Sequence, residues 1–383
     1  MIQPKNEQNI AIIGGGPGGL MLALLLQQKG IKATIFERDL SDQNNARGGS
    51  LDIHENTGQL ALKEAGLYEQ FLSKARFEGE DFRLFDKNGT IYLDDVAEAS
   101  GDRPEIDRGE LCNLLLEKLD KNCIQYGYRL QKGEILSNGQ TALYFENGEK
   151  IVADLVIGSD GTFSRVRSLL TQTDVSYSGL TMVELNIENA AIEQPALATF
   201  NKRGKVFALD QERGILGQLN GNGTIKVYAC LKTDYNWLQQ FPVPFEQTEK
   251  VKETLLTYFK DWYEPLTDYI QKANGEILPR RIYMLPIGFK WPRQKNITLI
   301  GDAAHAMSPF AGEGVNMALH DAYNLAMALT TNEENPEQAI AQYEEKMYAY
   351  SSEAAEQSSA NLDICFSKNA APKLKKLMDS FHA

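Results

Sequence analysis

The fold of this chain is decided near its amino terminus by residues 10–26, which read IAIIGGGPGGLMLALLL. The short apolar run Asn9–Ile13 predicts a strand, the glycines predict a turn, and the apolar residues that follow predict a helix to about Gln28. Gly30 ends that helix, and Ile31–Phe36 (IKATIF) predicts a second strand. A strand–helix–strand unit of this kind implies a parallel sheet with a right-handed crossover.

The glycine turn indicates a dinucleotide site. Gly14, Gly16 and Gly19 form the pattern G-x-G-x-x-G, and Pro17 stands at the predicted start of the helix. These glycines allow a tight turn and let a pyrophosphate approach backbone N–H groups at the helix N-terminus. Glu37 ends the second strand, where a carboxylate can accept a hydrogen bond from a ribose hydroxyl. The pattern alone does not separate FAD from NAD, and a glycine turn without a ligand is the alternative.

Composition narrows the class of protein. At 383 residues the chain is long for one core, so we expect two lobes. A net charge of -13 argues against non-specific nucleic-acid binding. The cysteines form no C-x-x-C pair and no histidine pairs with a cysteine or another histidine at ligand spacing, so we expect a reduced cytoplasmic protein without a structural zinc site. The glycines within residues 10–26 argue against a signal peptide or a membrane span.

Three further segments belong to the parallel-sheet lobe. Pro104–Leu119 predicts a helix, with Asp107 as its N-cap and Glu110 three residues later. Ala153–Gly161 and Ile297–Ala304 each predict a buried strand that runs into a turn.

The middle of the chain predicts a different lobe. Alternating apolar and polar residues from about Val175 to Leu285 favour a mainly antiparallel sheet, and Phe82–Tyr92 predicts a hairpin of the same lobe. Pro336–Ala360 has helical composition. We therefore assign segments 1–75, 104–174 and 286–333 to the dinucleotide lobe, 76–103 and 175–285 to an inserted substrate lobe, and 334–383 to a C-terminal helical region.

Two later motifs identify the dinucleotide. Residues 160–167 (DGTFSRVR) resemble the D-G-x-x-S-x-x-R signature of single-component flavoprotein hydroxylases. Residues 301–305 (GDAAH) resemble the G-D-A-A-H signature of the same group, in which the aspartate bonds the ribityl chain of FAD. The resemblance implies that Asp160 and Asp302 bind FAD and that Arg108 contacts its phosphate or ribose. Arg38 would meet the adenosine or an incoming NADPH.

The stretch GDAAHAMSPFAGEGVNMALHDA (residues 301–322) is rich in small residues. With FAD bound, these would let the backbone approach the isoalloxazine ring. A helix opening at about residue 312 would direct its positive end at the N1/O2 edge and stabilise the anionic reduced flavin. Pro309 and Phe310 would face the substrate side of the ring. The predicted contacts with FAD in this stretch are Asp302, Pro309, Gly312, Gly314, Val315 and Asn316.

Residues 47–67 (RGGSLDIHENTGQLALKEAGL) resemble the tetracycline-inactivating flavin monooxygenases of the TetX type, as do IIGGGPGGL, FERD and PEIDR. The resemblance implies an α/β fold: a Rossmann-type, glutathione-reductase-like FAD lobe with an inserted, mainly antiparallel substrate lobe and a C-terminal helix. It also implies that Arg47, Gly49, Leu51 and Asp52 bind FAD and that NADPH binds transiently. We expect the protein to be a monomer.

The same resemblance implies a substrate site. The family holds tetracycline with a glutamine, an arginine and a histidine on the middle sheet, where this sequence has Glu184, Lys205 and Lys226. With Pro309, Phe310 and Gly312, they form the predicted substrate set. The implied substrate is a tetracycline-type antibiotic, whose hydroxylation would confer resistance; another phenolic or polyketide compound is the alternative.

The implied reaction needs no catalytic side chain and no metal, because the cofactor carries the chemistry. NADPH reduces FAD, oxygen adds at the flavin C4a, and the hydroperoxide transfers one oxygen to an electron-rich carbon. His54 and His305 are candidates for proton handling, or else structural histidines. Rival functions are a flavin oxidoreductase without oxygen insertion, a non-enzymatic flavoprotein, and a flavin halogenase, which the isolated tryptophans disfavour.

Overall fold

A computed structural model describes residues 8–41, 48–96, 101–332 and 335–381. Arg47, predicted to bind FAD, lies outside these ranges. The strands in chain order are β1 (Ile10–Ile13), β2 (Ala33–Glu37), β3 (Ser50–Asp52), β4 (Phe82–Phe85), β5 (Ile91–Asp95), β6 (Glu105–Asp107), β7 (Ile124–Tyr126), β8 (Leu130–Ile135), β9 (Thr141–Phe145), β10 (Lys150–Ala153), β11 (Leu155–Gly158), β12 (Ser176–Ile187), β13 (Lys205–Asp210), β14 (Arg213–Leu219), β15 (Ile225–Lys232), β16 (Leu278–Met284) and β17 (Ile297–Leu299). The α-helices are α1 (Pro17–Gln28), α2 (Leu60–Glu64), α3 (Tyr68–Leu72), α4 (Arg108–Leu116), α5 (Ala190–Glu193), α6 (Pro195–Asn201), α7 (Thr248–Tyr258), α8 (Glu264–Gln271), α9 (Asp302–His305), α10 (Gly314–Thr331), α11 (Pro336–Cys365) and α12 (Ala370–Phe381).

The first lobe is built on a parallel sheet in the order β17–β11–β1–β2–β7. All four residues of β1 are buried, and α1 is buried from Pro17 to Leu26 between this sheet and α10. A Cβ added to Gly18 would lie 3.2 Å from the Cβ of Ala318, so glycine allows the two helices to pack closely. The predicted strand–helix–strand unit is confirmed.

The second lobe is a larger sheet in the order β16–β12–β15–β14–β13–β4–β5. Its neighbouring strands are antiparallel except for β13 and β4, which are parallel. Helices α7 and α8 cover one face through a buried apolar cluster. The end of α11, helix α12 and Phe310 cover the other face, which is turned toward the first lobe. The predicted fold class is therefore confirmed, whereas the exact segment boundaries between lobes remain a prediction.

The helix predicted within Pro104–Leu119 is confirmed with Asp107 at its N-cap position, but it is shorter than that segment. Glu105–Asp107 forms β6, which pairs antiparallel with β3, and α4 begins only at Arg108. Asp107 occupies the N-cap position, but its carboxylate binds Arg76 (2.8 Å) and the backbone N–H of Gly221 instead of capping the helix. These long-range bonds make the extended conformation more stable than an added helical turn.

The segment Ile297–Ala304, predicted as a buried strand that runs into a turn, contains a strand of three residues. Strand β17 ends at Leu299, and Asp302 begins the short helix α9. Gly301 between them has φ +61°, a conformation that favours glycine. A small antiparallel sheet, β10–β9–β8, lies between β7 and β11 in sequence and was not predicted.

No helix within the described ranges is long and apolar enough to cross a membrane. The four cysteines are free thiols, and three of them are buried.

Candidate functional site

The glycine turn between β1 and α1 has two kinds of glycine. Gly14 has φ +108°, and an added Cβ would collide with the Ser159 carbonyl oxygen; a Cβ on Gly19 would collide with the Gly14 carbonyl. Glycine is therefore required at positions 14 and 19, where two backbone segments lie too close together to leave room for a Cβ. A Cβ on Gly16 would meet only an Arg108 guanidinium nitrogen, 3.7 Å away. No side chain caps α1, so its first N–H groups can bind an anion.

Glu37 holds this turn in place. Its Oε2 accepts a hydrogen bond from the Gly15 N–H (2.6 Å), and its Oε1 accepts one from the Asp39 N–H (2.9 Å). A carboxylate has about four acceptor positions, so Glu37 keeps capacity for a ribose hydroxyl. Arg38, the next residue, is exposed.

Arg108 joins two segments that are far apart in sequence. It is exposed at the start of α4, and its Cδ lies 2.9 Å from an ideal Cβ on Gly48. Its guanidinium group lies beside Gly16. The arginine therefore stands where the glycine turn meets the segment that leads to β3.

Asp160 organises its own turn. Its carboxylate accepts hydrogen bonds from the Ser164 hydroxyl (2.5 Å) and the Arg165 N–H (2.7 Å), and burial raises its pKa. Arg167, at the end of the same motif, donates to the carbonyl oxygens of Thr162 (2.8 Å) and Ala303 (3.0 Å). Arg167 thus joins this motif to the G-D-A-A-H loop, a role that the sequence analysis missed.

Asp302 begins the short helix α9. The residue is exposed, and its Oδ2 accepts from the Thr162 hydroxyl at 3.2 Å. The loop beneath it is fixed by Asp321 on α10, which accepts from the Gly301 N–H (2.7 Å) and contacts His305 Nε2 (2.7 Å). Burial alone would lower the pKa of His305, but the Asp321 carboxylate outweighs burial, and the pKa is raised.

Hydrogen bonds of the Asn316 side chain hold the start of α10 against β3. Asn316 accepts a hydrogen bond from the His54 N–H (2.8 Å) and donates to the carbonyl oxygens of Asp52 (2.9 Å) and Gly312 (3.1 Å). A Cβ on Gly312 would lie 3.2 Å from the Asp52 carboxylate, whereas one on Gly314 would meet nothing within 4 Å. No side chain caps α10, so its N-terminus also remains open to an anion.

His54 lies between two carboxylates. Its Nε2 is 3.3 Å from Asp52 Oδ2, and its Nδ1 is 3.4 Å from Glu313 Oε1. Burial would lower the pKa of His54, but its hydrogen bonds to these carboxylates outweigh burial and raise it. Burial would likewise raise the pKa of Asp52, yet Lys205 and His54 hold it well below its usual value.

The other predicted residues of this region differ in exposure. Leu51 is partly buried against the core of the first lobe, as is Val315. Pro309 is exposed. Phe310 packs edge-on against Phe366, the residue that follows α11, with ring centroids 5.1 Å apart. It therefore belongs to the cluster on the face of the second sheet that is turned toward the first lobe.

That face of the second sheet carries a polar row. Register pairs Lys205 with Gln218, Gln218 with Lys226, and Lys226 with Asn186 across four strands, so the four side chains lie on one face. The next row along the strands is Phe207, Leu216, Tyr228 and Glu184. Gly49, beside β3, contacts this face: its ideal Cβ would be 3.2 Å from Gln218 Oε1 and 3.4 Å from the Tyr228 hydroxyl.

The three predicted substrate residues of the sheet all have charged partners. Lys226 Nζ lies 2.5 Å from Glu184 Oε1, and Arg280 Nε lies 2.7 Å from Glu184 Oε2. Lys205 Nζ lies 2.7 Å from Glu105 Oε1 of the first lobe. Arg280, Tyr228 and Gln218 were not predicted, because only the register of the strands brings them to this face.

These residues fit an extended FAD. Two helix N-termini without side-chain caps, two glycines whose added Cβ would meet no backbone atom within 4 Å (Gly16 and Gly314), and an exposed carboxylate are available to it. The described residues contain no cluster of His, Cys, Asp and Glu arranged to hold a metal ion.

The chain is similar in sequence or in fold to several known proteins. A monooxygenase of Emericella nidulans, asqM, is 28% identical over 98% of this chain and 99% of its own length. Two solved structures share the fold. The tetracycline destructase Tet(51) is 21% identical with a TM-score of 0.76, over 97% of this chain and 96% of that one. HpxO of Klebsiella pneumoniae, complexed with FAD and uric acid, is 20% identical with a TM-score of 0.77, over 97% of this chain and 92% of that one.

A family model described as an FAD binding domain matches residues 7–358, which is nearly the whole chain. This match confirms that the dinucleotide predicted from the glycine turn is FAD. The chain therefore belongs to the FAD binding domain family.

Proposed function

We propose that this protein is an FAD-dependent, NADPH-consuming monooxygenase that hydroxylates an aromatic or fused-ring small molecule. One observation carries the proposal: the segment Gly49–Asp52 contacts both halves of the candidate site. Asp52 is bound to Asn316 at the start of α10, while Gly49 faces Gln218 and Tyr228 of the second sheet. A flavin ring beside this segment would have the substrate sheet within reach.

FAD would lie along the carboxyl ends of the parallel strands, where ligands bind in sheets of this type. Its pyrophosphate would bind at the start of α1, its adenosine ribose at Glu37 and its ribityl chain at Asp302. Arg108 would neutralise phosphate charge, and Arg38 would meet the adenosine or NADPH. The remaining residues proposed to bind FAD are Gly14, Gly16, Pro17, Gly19, Arg47, Gly49, Leu51, Asp52, Asp160, Pro309, Gly312, Gly314, Val315 and Asn316.

When bound, FAD would supply the redox chemistry and the activation of oxygen. The side chains of this chain then have to orient the substrate and exclude water. The N-terminus of α10 would stabilise negative charge on the flavin ring through its helix dipole. The apolar part of the second sheet and Phe310 would hold the body of the substrate.

A tetracycline-type antibiotic is the proposed substrate, on the basis of the TetX-like sequence stretches and the fold shared with a tetracycline destructase. Another phenolic or polyketide compound is the second candidate, because Glu184, Lys205 and Lys226 replace the side chains with which the TetX type holds tetracycline. We also propose that NADPH binds transiently and that the protein is a cytoplasmic monomer.

The test uses the purified FAD-loaded protein and a panel of tetracyclines and simple phenols. We expect at least one compound to stimulate NADPH oxidation and to gain the mass of one oxygen atom. Stimulated NADPH oxidation without an oxygenated product would indicate an oxidoreductase without oxygen insertion. A folded protein that does not bind FAD would overturn the whole proposal.

A further inference from the structure

Glu184 and Lys226 form a nearly buried ion pair on the second sheet. Lys226 Nζ lies 2.5 Å from Glu184 Oε1, and the two side chains are only 10% and 7% exposed. Glu184 Oε2 is also occupied, since Arg280 Nε lies 2.7 Å from it. A nearly buried pair of this kind is stable only while both members remain together. Neither residue therefore has a charge left over for a ligand.

Arg280 keeps most of its binding capacity. Its side chain is 50% exposed, and only its Nε is engaged by the described residues; its two terminal nitrogens form no hydrogen bond there. With Lys226 it contributes two positive charges against the single negative charge of Glu184. The three side chains therefore carry one net positive charge, and the exposed end of Arg280 presents it. The planar guanidinium group of Arg280 suits a carboxylate or another anionic oxygen.

Tyr228 offers a second donor beside this arginine. Register places it directly opposite Glu184, and its hydroxyl lies 3.4 Å from an ideal Cβ on Gly49. That hydroxyl forms no hydrogen bond with the residues that the structure describes. Burial, and after it the Glu184 carboxylate, raises the pKa of Tyr228, so the phenol stays protonated and can donate.

The neighbours of these two donors are apolar. Register pairs Arg280 with Met182 and Tyr228 with Leu216, and both apolar side chains belong to the cluster that also contains Phe310. A ligand here can bury a ring against this cluster while one edge of the ring reaches the donors. The chemistry that matches is an aromatic or fused ring that carries an anionic oxygen.

We propose that Arg280 and Tyr228 are specificity-determining residues that bind an anionic oxygen of the substrate, such as a ring carboxylate or enolate. This inference deepens the proposed monooxygenase function and rests on it. Charge-assisted hydrogen bonds of this type would favour the anion over a neutral analogue by roughly 10- to 100-fold in affinity.

Arg281 provides a matched control on the same strand. Successive residues of a strand lie on opposite faces, and the Arg281 guanidinium donates to the Tyr235 carbonyl (2.7 Å) and to Gln239 Oε1 (2.6 Å). It also lies over the Tyr235 ring, 4.3 Å from the ring centroid. Arg281→Gln therefore removes the same charge from the chain without touching the Arg280 group.

The experiment measures binding to the FAD-loaded protein without turnover, from the change in the flavin absorbance spectrum. The probes are salicylate and 3-hydroxy-2-naphthoate, each compared with its methyl ester. We expect the wild type and Arg281→Gln to bind the acids at least about 10-fold more tightly than the esters. Arg280→Gln should lose this preference, Arg280→Lys should keep part of it, and Tyr228→Phe should weaken binding of the acids.

Equal affinity for acids and esters in the wild type, or binding of neither, would overturn this inference. So would an Arg280→Gln protein that retains the full preference. The proposed function is judged separately, by FAD content and by an oxygenated product. If the protein hydroxylates neutral compounds but shows no preference for acids, the proposed monooxygenase function is supported. Only the proposed role of Arg280 and Tyr228 is then excluded.

Discussion

The Asp321 carboxylate accepts a hydrogen bond from the Gly301 backbone N–H at 2.7 Å, and so fixes the residue that precedes Asp302. The same oxygen contacts His305 Nε2 at 2.7 Å, and the other accepts from the Tyr350 hydroxyl at 2.5 Å. Asp321 is 0% exposed and cannot itself touch a ligand at the surface. The position of the exposed Asp302 carboxylate therefore depends on a buried carboxylate almost twenty residues later in the chain.

Asp321→Asn should weaken FAD binding without removing any contact with FAD. Loss of the buried charge leaves His305 without its partner, which should lower the free energy of unfolding by about 3 kcal/mol and raise the Kd for FAD roughly 10-fold, an estimate for a displaced charge-assisted hydrogen bond. Denaturant unfolding and flavin release measure the two effects. Glu149→Gln, at an exposed turn, is the control. Lower stability with unchanged FAD affinity would show that Asp321 is structural only.

Asp302→Ala should give the opposite pattern. Because Asp302 is exposed and bonds only the Thr162 hydroxyl among the described residues, its replacement should leave the thermal stability of the apoprotein nearly unchanged. The purified protein should nevertheless hold little flavin, since it would lose the acceptor proposed for the ribityl chain. Absorbance at the flavin band and the melting temperature of the apoprotein test this directly. Full yellow occupancy in the variant would refute the ribityl contact.

Replacing Gly14 or Gly16, in the turn between β1 and α1, by alanine should affect the stability of the apoprotein and its affinity for FAD differently. Gly14→Ala places a Cβ against the Ser159 carbonyl at φ +108°, so the apoprotein should be destabilised by about 2 kcal/mol or more. Gly16→Ala meets only Arg108 at 3.7 Å, so the apoprotein should fold normally but bind FAD less tightly, because the methyl group intrudes where the pyrophosphate would lie. Normal FAD affinity in Gly16→Ala would argue against the proposed path of the cofactor.

The buried pair of His305 and Asp321 should make stability depend on pH. The pKa of His305 is raised above its ordinary value of 6.5, since Asp321 outweighs burial. A raised pKa stabilises the folded state fully below the unfolded-state pKa, and this contribution is lost as the pH rises through the folded-state pKa. The difference in unfolding free energy between wild type and His305→Gln should therefore be largest below pH 6.5 and shrink above it. A difference that grows with pH would mean that His305 is buried neutral.

Local patterns determined the first lobe and its cofactor. The order of apolar residues and glycines in residues 10–37 specifies a strand, a turn and a helix through short-range sterics, and the glycine spacing is set by the chain crossing seen at Gly14 and Gly19. The alternation of apolar residues likewise predicted the hairpin of β4 and β5 and the antiparallel sheet. The G-D-A-A-H stretch marked Asp302 correctly as a residue at the end of a parallel strand.

Long-range contacts decided the rest. Glu105–Asp107 is extended because it pairs with β3, while Lys205 and Arg76 bind the carboxylates of Glu105 and Asp107. The pairing of Glu184 with Lys226 and Arg280 depends on the register of β12, β15 and β16, which no local pattern records. The sequence by itself determined which cofactor the chain binds, since one turn and one loop carry that information. The tertiary structure alone decided which charges remain available to a substrate, because an ion pair between distant strands exists only after the sheet has formed.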